Sequence, residues 1–273
     1  MLQIPNHQIF SKGKTYSALA QQYLPETILP AAISAADQQA VLQQLDSQLK
    51  KEQFYFITDV KTGTITYCNG INQWLGHTDA HFTQKKYLHI INPAHALLQG
   101  FYAAAFFDVL INKQLTTQFL RPTCISTLAL KNKAGKYIYC KRQCYPFQIT
   151  GCNKMTEYMS EFTIIKELTN EEYHTRINNE AELPNHHNDI VKKLVQKKFE
   201  DARGFSIQEL RILKRYATAQ NVTSETIAKA FKIEKTTVDT YNKRILKKAE
   251  NILGQNFGDA KKVATYFKRA GLL

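Results

Sequence analysis

Residues 234–248 constrain this chain more than any other stretch. Val238, Ile245 and Ala249 sit at i, i+7 and i+11, so they fall on one stripe of an α-helix. Lys235, Lys243, Arg244, Lys247 and Lys248 project around the remainder. Such a helix has a narrow apolar side for packing and a wide cationic side. A solvated surface helix shows the same pattern, so the flanking sequence must decide between the two.

The segment before it carries helix-start signals. Ser206 and Glu209 have the spacing of a capping box, in which each side chain serves the other's backbone amide. Phe205 and Leu210 have the spacing of a hydrophobic staple across that start. Leu210, Leu213, Tyr216 and Ala217 then repeat at helical intervals. A second start falls at Thr223 or Ser224, and Ile227, Ala228 and Phe231 supply its buried face. Lys232 and Ile233 make a short turn into the basic helix. Helix, short helix, tight turn and basic helix is the order of a helix-turn-helix, whose last helix enters the major groove.

From residue 205 to the end the chain resembles the LuxR-type (GerE-like) helix-turn-helix family. Phe205, Ser206 and Glu209, then Ile227 and Ala228, Thr237, Val238 and Thr240, and Ile245 to Lys248 carry the resemblance. Val263, Ala264, Phe267 and residues 270–273 resemble the family's fourth helix and its ending. By that resemblance Asp239, Thr240 and Lys243 read bases. Lys235, Thr236, Thr237, Tyr241 and Lys247 position the backbone. Three departures stand out. Asp239 occupies a base-reading position that is usually Lys; an Asp accepts from a cytosine amine but repels phosphate. Glu234 stands where the family has Ser, a better N-cap. Tyr241 replaces the more usual His and still offers a hydroxyl to a phosphate oxygen.

Charge follows the same division. The chain of 273 residues has a net charge of +13. Residues 190–273 hold 19 Lys/Arg and 8 Asp/Glu, a net of +11, and the rest of the chain has +2. Concentrated positive charge suits phosphate contacts and counterion release. No long apolar run or amphipathic anchor accompanies it, so no membrane partner is expected. The first residues lack a basic-then-apolar signal pattern, and the expected location is cytoplasmic. Five cysteines, an odd number without a CxxC pair, read as reduced structural thiols.

Upstream, residues 1–36 give little periodic signal and read as an extension broken by Pro5, Pro25 and Pro30. Val41, Leu42, Leu45 and Leu49 make a helical stripe, suited to cover a sheet or to pair with a second copy. Residues 54–59 and 64–68 read as two strands around a turn with Gly63, and Asn69 as the N-cap of a short helix bearing Ile71, Trp74 and Leu75. Asp59, Gly63, Ile65, Tyr67, Asn69, Leu75 and Gly76 together resemble the opening of a PAS domain. Residues 90–95 then take the place of that family's helix start. Leu98, Phe101, Tyr102, Ala105, Phe106 and Val109 form one face of a long helix. Strands follow over 123–131, 136–145 and 155–165, the first two joined by a hairpin turn at residues 132–135. Residues 167–188 are polar and acidic. Thr169 and Glu172 have capping-box spacing, and Leu183-Pro184 closes a helix there. Ile190, Val191, Leu194, Val195 and Phe199 make a further amphipathic stripe.

The expected fold class is therefore α+β: a PAS-like antiparallel sheet with helices, joined by a helical linker to an all-α four-helix LuxR-type helix-turn-helix domain. The expected divisions are an extension over 1–36, a PAS-like sensor or dimerisation domain over 37–168, a linker over 169–204 and a DNA-binding domain over 205–273. The function implied is a sequence-specific, dimeric transcription regulator of bacterial type, with a PAS-like domain sensing a small ligand or a protein partner. RNA polymerase is a compatible further partner. Two alternatives remain: a scaffold protein whose helix-turn-helix binds protein, and a DNA binder whose PAS-like domain only dimerises. No nucleophile elbow, phosphate loop or zinc-protease motif appears, so no enzyme is expected.

Candidate cofactor chemistry is thin, and no cofactor beyond a small ligand is expected. His77 and His81 are four apart, with His89 or His95 within recruiting range, but no third ligand has diagnostic spacing. A haem ligand among His81, His89 and His95 is not selected by any pattern. Cys140 and Cys144 share a strand face, as a redox pair or as ordinary packed thiols. His186 and His187 read as polar filler.

Overall fold

The computed structural model describes residues 16–24, 30–169, 171, 173–178, 186–202, 204–218, 221–253 and 256–273. In chain order the elements are α1 (Tyr16–Tyr23), α2 (Ala35–Gln48), β1 (Gln53–Asp59), β2 (Ile65–Asn69), α3 (Ile71–Leu75), a 3-10 turn (Asp79–His81), α4 (Gln84–Ile90), α5 (Pro93–Ile111), β3 (Thr123–Lys131), β4 (Tyr137–Ile149), β5 (Met155–Glu167), β6 (His174–Asn178), α6 (His186–Asp201), α7 (Ile207–Thr218), α8 (Ser224–Phe231), α9 (Lys235–Leu253) and α10 (Ala260–Arg269). The class is α+β, with one antiparallel sheet in the order β2-β1-β5-β4-β3-β6.

Local chemistry sets the turns. The Asp59 carboxylate accepts from the Thr62 amide at 2.7 Å, and Gly63 (φ 66°) closes the β1–β2 turn by donating to the Asp59 carbonyl. The Asn132 carboxamide oxygen accepts from the amides of Ala134 and Lys136, and Gly135 takes φ 82°. Helix α5 starts with Asn92 as N-cap, bonded to the Ala94 amide, and Pro93 just inside.

The sheet's two faces have different covers. Phe54, Phe56, Leu128, Leu130, Ile138, Cys140 and Phe162 point to one face, under α1 and α3 to α5. Tyr55, Ile57, Phe147 and Met159 point to the other, where Val41, Leu42, Leu45 and Leu49 of α2 pack. The α2 stripe therefore covers a sheet. None of its side chains is fully buried, so it covers the sheet only in part.

The structure corrects several sequence-based expectations. The helical linker does not begin at residue 169. Residues 174–178 form β6, hydrogen-bonded along β3 from Thr123↔Asn178 to Thr127↔His174. Thr169 bonds the Glu171 carboxylate, and Glu172 and Leu183-Pro184 lie outside the described residues. The helical part is α6 alone, with Val191, Val195 and Phe199 buried. His187 is no filler: it is 3% exposed, and its Nε2 lies 2.9 Å from the Gln114 carbonyl. Asn69 does not cap α3. Gly70 takes that position at φ 80°, where a Cβ would come within 2.9 Å of the Gln53 carbonyl. The Asn69 amide instead donates to Asp46 at 2.6 Å, and the Asp79 carboxylate accepts from the Ile71 amide. The first 36 residues include α1, whose Ala20 and Tyr23 join the core.

Helix α5 is an apolar run outside the basic C-terminal segment. At 19 residues it is long and apolar enough to cross a membrane by length and composition. Here it is the central helix of the fold. Of the expected face Leu98, Phe101, Ala105 and Val109 are buried, Tyr102 and Phe106 are half-buried, and Ala94, His95, Leu97, Phe107 and Leu110 are buried from other sides. A helix apolar all round needs partners all round, and α1, α6, α9 and the sheet supply them.

One apolar core runs from the sheet into the C-terminal helices. Phe101 of α5 meets Phe199 of α6 edge-on at 5.9 Å between centroids. Phe199 then meets Phe267 at 4.9 Å and Phe205 at 6.0 Å. Lys198 pairs with Asp108 at 2.6 Å beside this stack.

Candidate nucleic-acid interface

Helices α7 to α10 build a platform under one exposed helix. Helix α7 opens with the capping box expected from Ser206 and Glu209. The Glu209 carboxylate accepts from the Ser206 amide at 2.6 Å, and the Ser206 hydroxyl accepts from the Glu209 amide at 3.2 Å. Ile212, Leu213 and Tyr216 are its buried face. Helix α8 opens at Thr223, which forms a reciprocal box with Thr226. It closes with Lys232 in the left-handed region (φ 53°), giving the tight turn into α9.

Helix α9 is anchored along the expected stripe. Val238, Ile245 and Ala249 are 0% exposed, and Leu253 extends the stripe by one more turn. Polar contacts fix its rotation. Asn242 donates to the Tyr216 hydroxyl at 3.0 Å and to the Ser224 hydroxyl at 3.1 Å, tying α9 to both α7 and α8. Lys248 donates to Glu209 at 2.6 Å. That glutamate is 2% exposed. Burial raises its carboxyl pKa, but the bonds from Lys248 and Ser206 outweigh burial and hold it below the ordinary glutamate value. Sequence spacing grouped Lys248 with the outward cations; the structure turns it inward to this pair.

The eight residues expected to meet DNA all lie on α9. Lys235, Thr236, Thr237, Thr240, Lys243 and Lys247 are exposed, while Asp239 and Tyr241 are half-exposed. Val238 and Ile245 between them point into the core, so the eight share the helix's outward side. The Thr240 hydroxyl donates to the Thr236 carbonyl at 2.9 Å, and Arg244 lies over the Tyr241 ring. The charged groups of Lys235, Asp239, Lys243 and Lys247 make no ion pair with a described residue. Their charge is open to an external partner.

Helix α10 closes the platform. Asp259 caps it through the Lys262 amide, and Val263, Ala264 and Phe267 are 0% exposed. The expected buried side of this helix packs on Phe205 and also on Phe199 of α6.

The histidine and cysteine candidates resolve differently. His95 is spent on packing. Its Nδ1 accepts from the Ala129 amide at 2.8 Å, and its other nitrogen serves the Glu171 backbone carbonyl. Burial pushes its pKa down to about 4. His77 packs beside Phe82, with ring centroids 5.7 Å apart. Cys124, Cys140 and Cys144 share the sheet's inner face, with Cys124 opposite Cys144 in register, and all are free thiols. Burial raises Cys124 to about 11 and Cys140 to about 12, against thiolate chemistry at neutral pH. Among the described residues no group of three or more His, Cys, Asp or Glu side chains is placed to hold a metal ion.

No family model and no curated protein matches this chain. Solved structures that align with it include a phage VqmA–DPO complex, at 12% identity over 87% of this chain and 92% of that one, with a TM-score of 0.27. A Vibrio cholerae VqmA dimer without its target DNA, from work on LuxR-type receptors, aligns at 12% identity over 85% and 88%, with a TM-score of 0.26. A VqmA–ligand–DNA complex aligns at 12% identity over 85% and 88%, with a TM-score of 0.25.

Proposed function

We propose that this chain is a sequence-specific DNA-binding transcription regulator. Helices α7 to α10 form a LuxR-type DNA-binding unit, and the sheet with α1 to α5 forms a PAS-like sensor of a small ligand or protein partner. The observation that carries the reading is helix α9. Its inner stripe is fully buried and its rotation is fixed by Asn242 and Lys248. Its outward side presents Lys235, Lys243 and Lys247 without ion-pair partners among the described residues. A helix held rigidly on one side and cationic on the other suits insertion into a groove lined by phosphates. The PAS-like assignment is supported by element order: hairpin, short helices, long helix, then three antiparallel strands.

In this mechanism Lys235, Thr236, Thr237, Tyr241 and Lys247 hold the backbone, and Asp239, Thr240 and Lys243 face base edges. Two copies bind as a dimer, with recognition helices about 34 Å apart on one face of the duplex. The protein acts without catalysis, in the cytoplasm. The aromatic stack Phe101–Phe199–Phe267 couples the sensor's central helix to the DNA-binding helices.

The test is binding of the full-length protein to labelled duplex across a salt series. Log affinity should fall linearly with log salt, and Lys247→Ala should reduce the slope by about 1. Binding that is absent at low salt, or independent of salt, rules the reading out. It would then favour a helix-turn-helix that binds protein.

A further inference from the structure

The inner face of the sheet holds one charged side chain that the account so far leaves unused. Arg142 lies on β4 between Cys140 and Cys144, on the side facing α4 and α5. Its guanidinium lies over the rings of Tyr87 (6.0 Å) and Phe162 (5.9 Å), both 1% exposed. Its Nε and one Nη donate to the Ser160 hydroxyl oxygen at 3.2 and 2.9 Å, and Ser160 is 0% exposed. No described carboxylate lies within ion-pairing distance. A guanidinium has five N–H donors. Two go to Ser160, and the other three have no acceptor among the described residues.

A cation placed among aromatic rings without a counter-ion is costly, and replacing it with an apolar side chain would remove that cost. Arg142 is half-buried, as are Cys124, Cys144, Gln99 and Tyr102. The two rings fix the guanidinium plane, and Ser160 occupies one edge. The free edge presents two parallel N–H groups, the fork that matches a carboxylate. The Ser160 hydroxyl proton remains available as a further donor. A second polar group lies on the same face: Thr58, opposite Tyr158 in register, is 0% exposed and its hydroxyl has no partner among the described residues.

We propose that Arg142, held by Ser160, Tyr87 and Phe162, is the binding centre for a small organic monocarboxylate. The proposal rests on the sensor reading above and gives its ligand class. A monocarboxylate fits better than a phosphate, because one guanidinium balances one negative charge. The surrounding rings of Tyr87, Phe162 and Tyr158 favour an apolar or aromatic body.

The experiment is thermal unfolding of the full-length protein with sodium acetate, sodium benzoate, acetamide, benzamide or inorganic phosphate, at matched ionic strength in chloride. A carboxylate should raise the unfolding temperature by about 2–4 °C, and its amide should not. Arg142→Met should abolish the response. Without any added anion, the same variant should unfold at a higher temperature than wild type, because it removes an uncompensated charge. The proposal is overturned if neither carboxylate shifts the transition, if the amides match them, or if phosphate exceeds both. It is also overturned if Arg142→Met keeps the response or unfolds earlier without anion, the mark of a purely structural arginine. DNA affinity measured with and without the effective carboxylate separates the two claims. If the anion binds and DNA affinity stays constant, the site stands and the sensor reading falls.

Discussion

Glu209→Ala should loosen helix α9 from its platform, and the structure gives the size of the effect. The carboxylate does two jobs: it accepts from the Ser206 amide at 2.6 Å and from Lys248 Nζ at 2.6 Å. Losing the cap interaction costs about 1 kcal/mol. The ion pair is worth about 0.5–1 kcal/mol, because the Lys248 side chain is 39% exposed and recovers water when released. The alanine variant should therefore lose about 2 kcal/mol. Glu209→Gln keeps the cap and loses only the charge, so it should lose about half as much. A double-mutant cycle with Lys248→Met isolates the pair and should return about 0.5–1 kcal/mol of coupling. The assay is urea unfolding followed by circular dichroism at pH 7. The pH dependence has a definite sign. The folded carboxyl pKa lies below its unfolded value, so the contribution is complete above the ordinary glutamate pKa of about 4.3. It fades as pH falls through the folded value. An alanine variant within about 0.5 kcal/mol of wild type, or a coupling of zero, would refute this account.

Three further outcomes are expected. His95 is buried neutral with its pKa pushed down to about 4, so stability should be complete above about pH 6.5 and fall by about 3 kcal/mol toward pH 4; a His95→Gln variant that keeps the same loss over that range would refute it. Phe199→Ala opens a cavity where Phe101, Phe205 and Phe267 meet, and should cost about 3–5 kcal/mol by denaturant unfolding; a cost below about 1 kcal/mol would show that the joint is loose. Lys243→Ala should weaken DNA binding and relax base preference, whereas Lys247→Ala should weaken binding to all duplexes alike; identical behaviour of the two would contradict the docking scheme.

The C-terminal helices were legible because they obey local rules. The Ser206–Glu209 box and the Val238–Ile245–Ala249 stripe depend on neighbours three to eleven residues away, and both are present. The β1–β2 and β3–β4 turns were legible for the same reason, through Gly63 and Asn132 to Gly135. Strand β6 was not. It is an edge strand in which only Ile177 is fully buried, so its polar composition resembled a linker. Arg142 was missed because charge inside a strand normally points outward, and nothing local shows that its alternation places it inward with Cys140 and Cys144. His187 and Asn69 were misread because their partners, Gln114 and Asp46, lie 73 and 23 residues away. On helix α9, sequence spacing identified which residues are cationic. Only the packing separated Lys248, which is held by Glu209, from Lys243 and Lys247, which face outward.

Selection of bound duplex from a random pool by the full-length protein, at moderate salt, tests the central claim most directly. The account predicts enrichment of a two-fold motif whose half-sites lie about one helical turn apart, with base preferences that change in Thr240→Ala and Lys243→Ala. Recovery of no motif, or failure to retain DNA even at low salt, would contradict it.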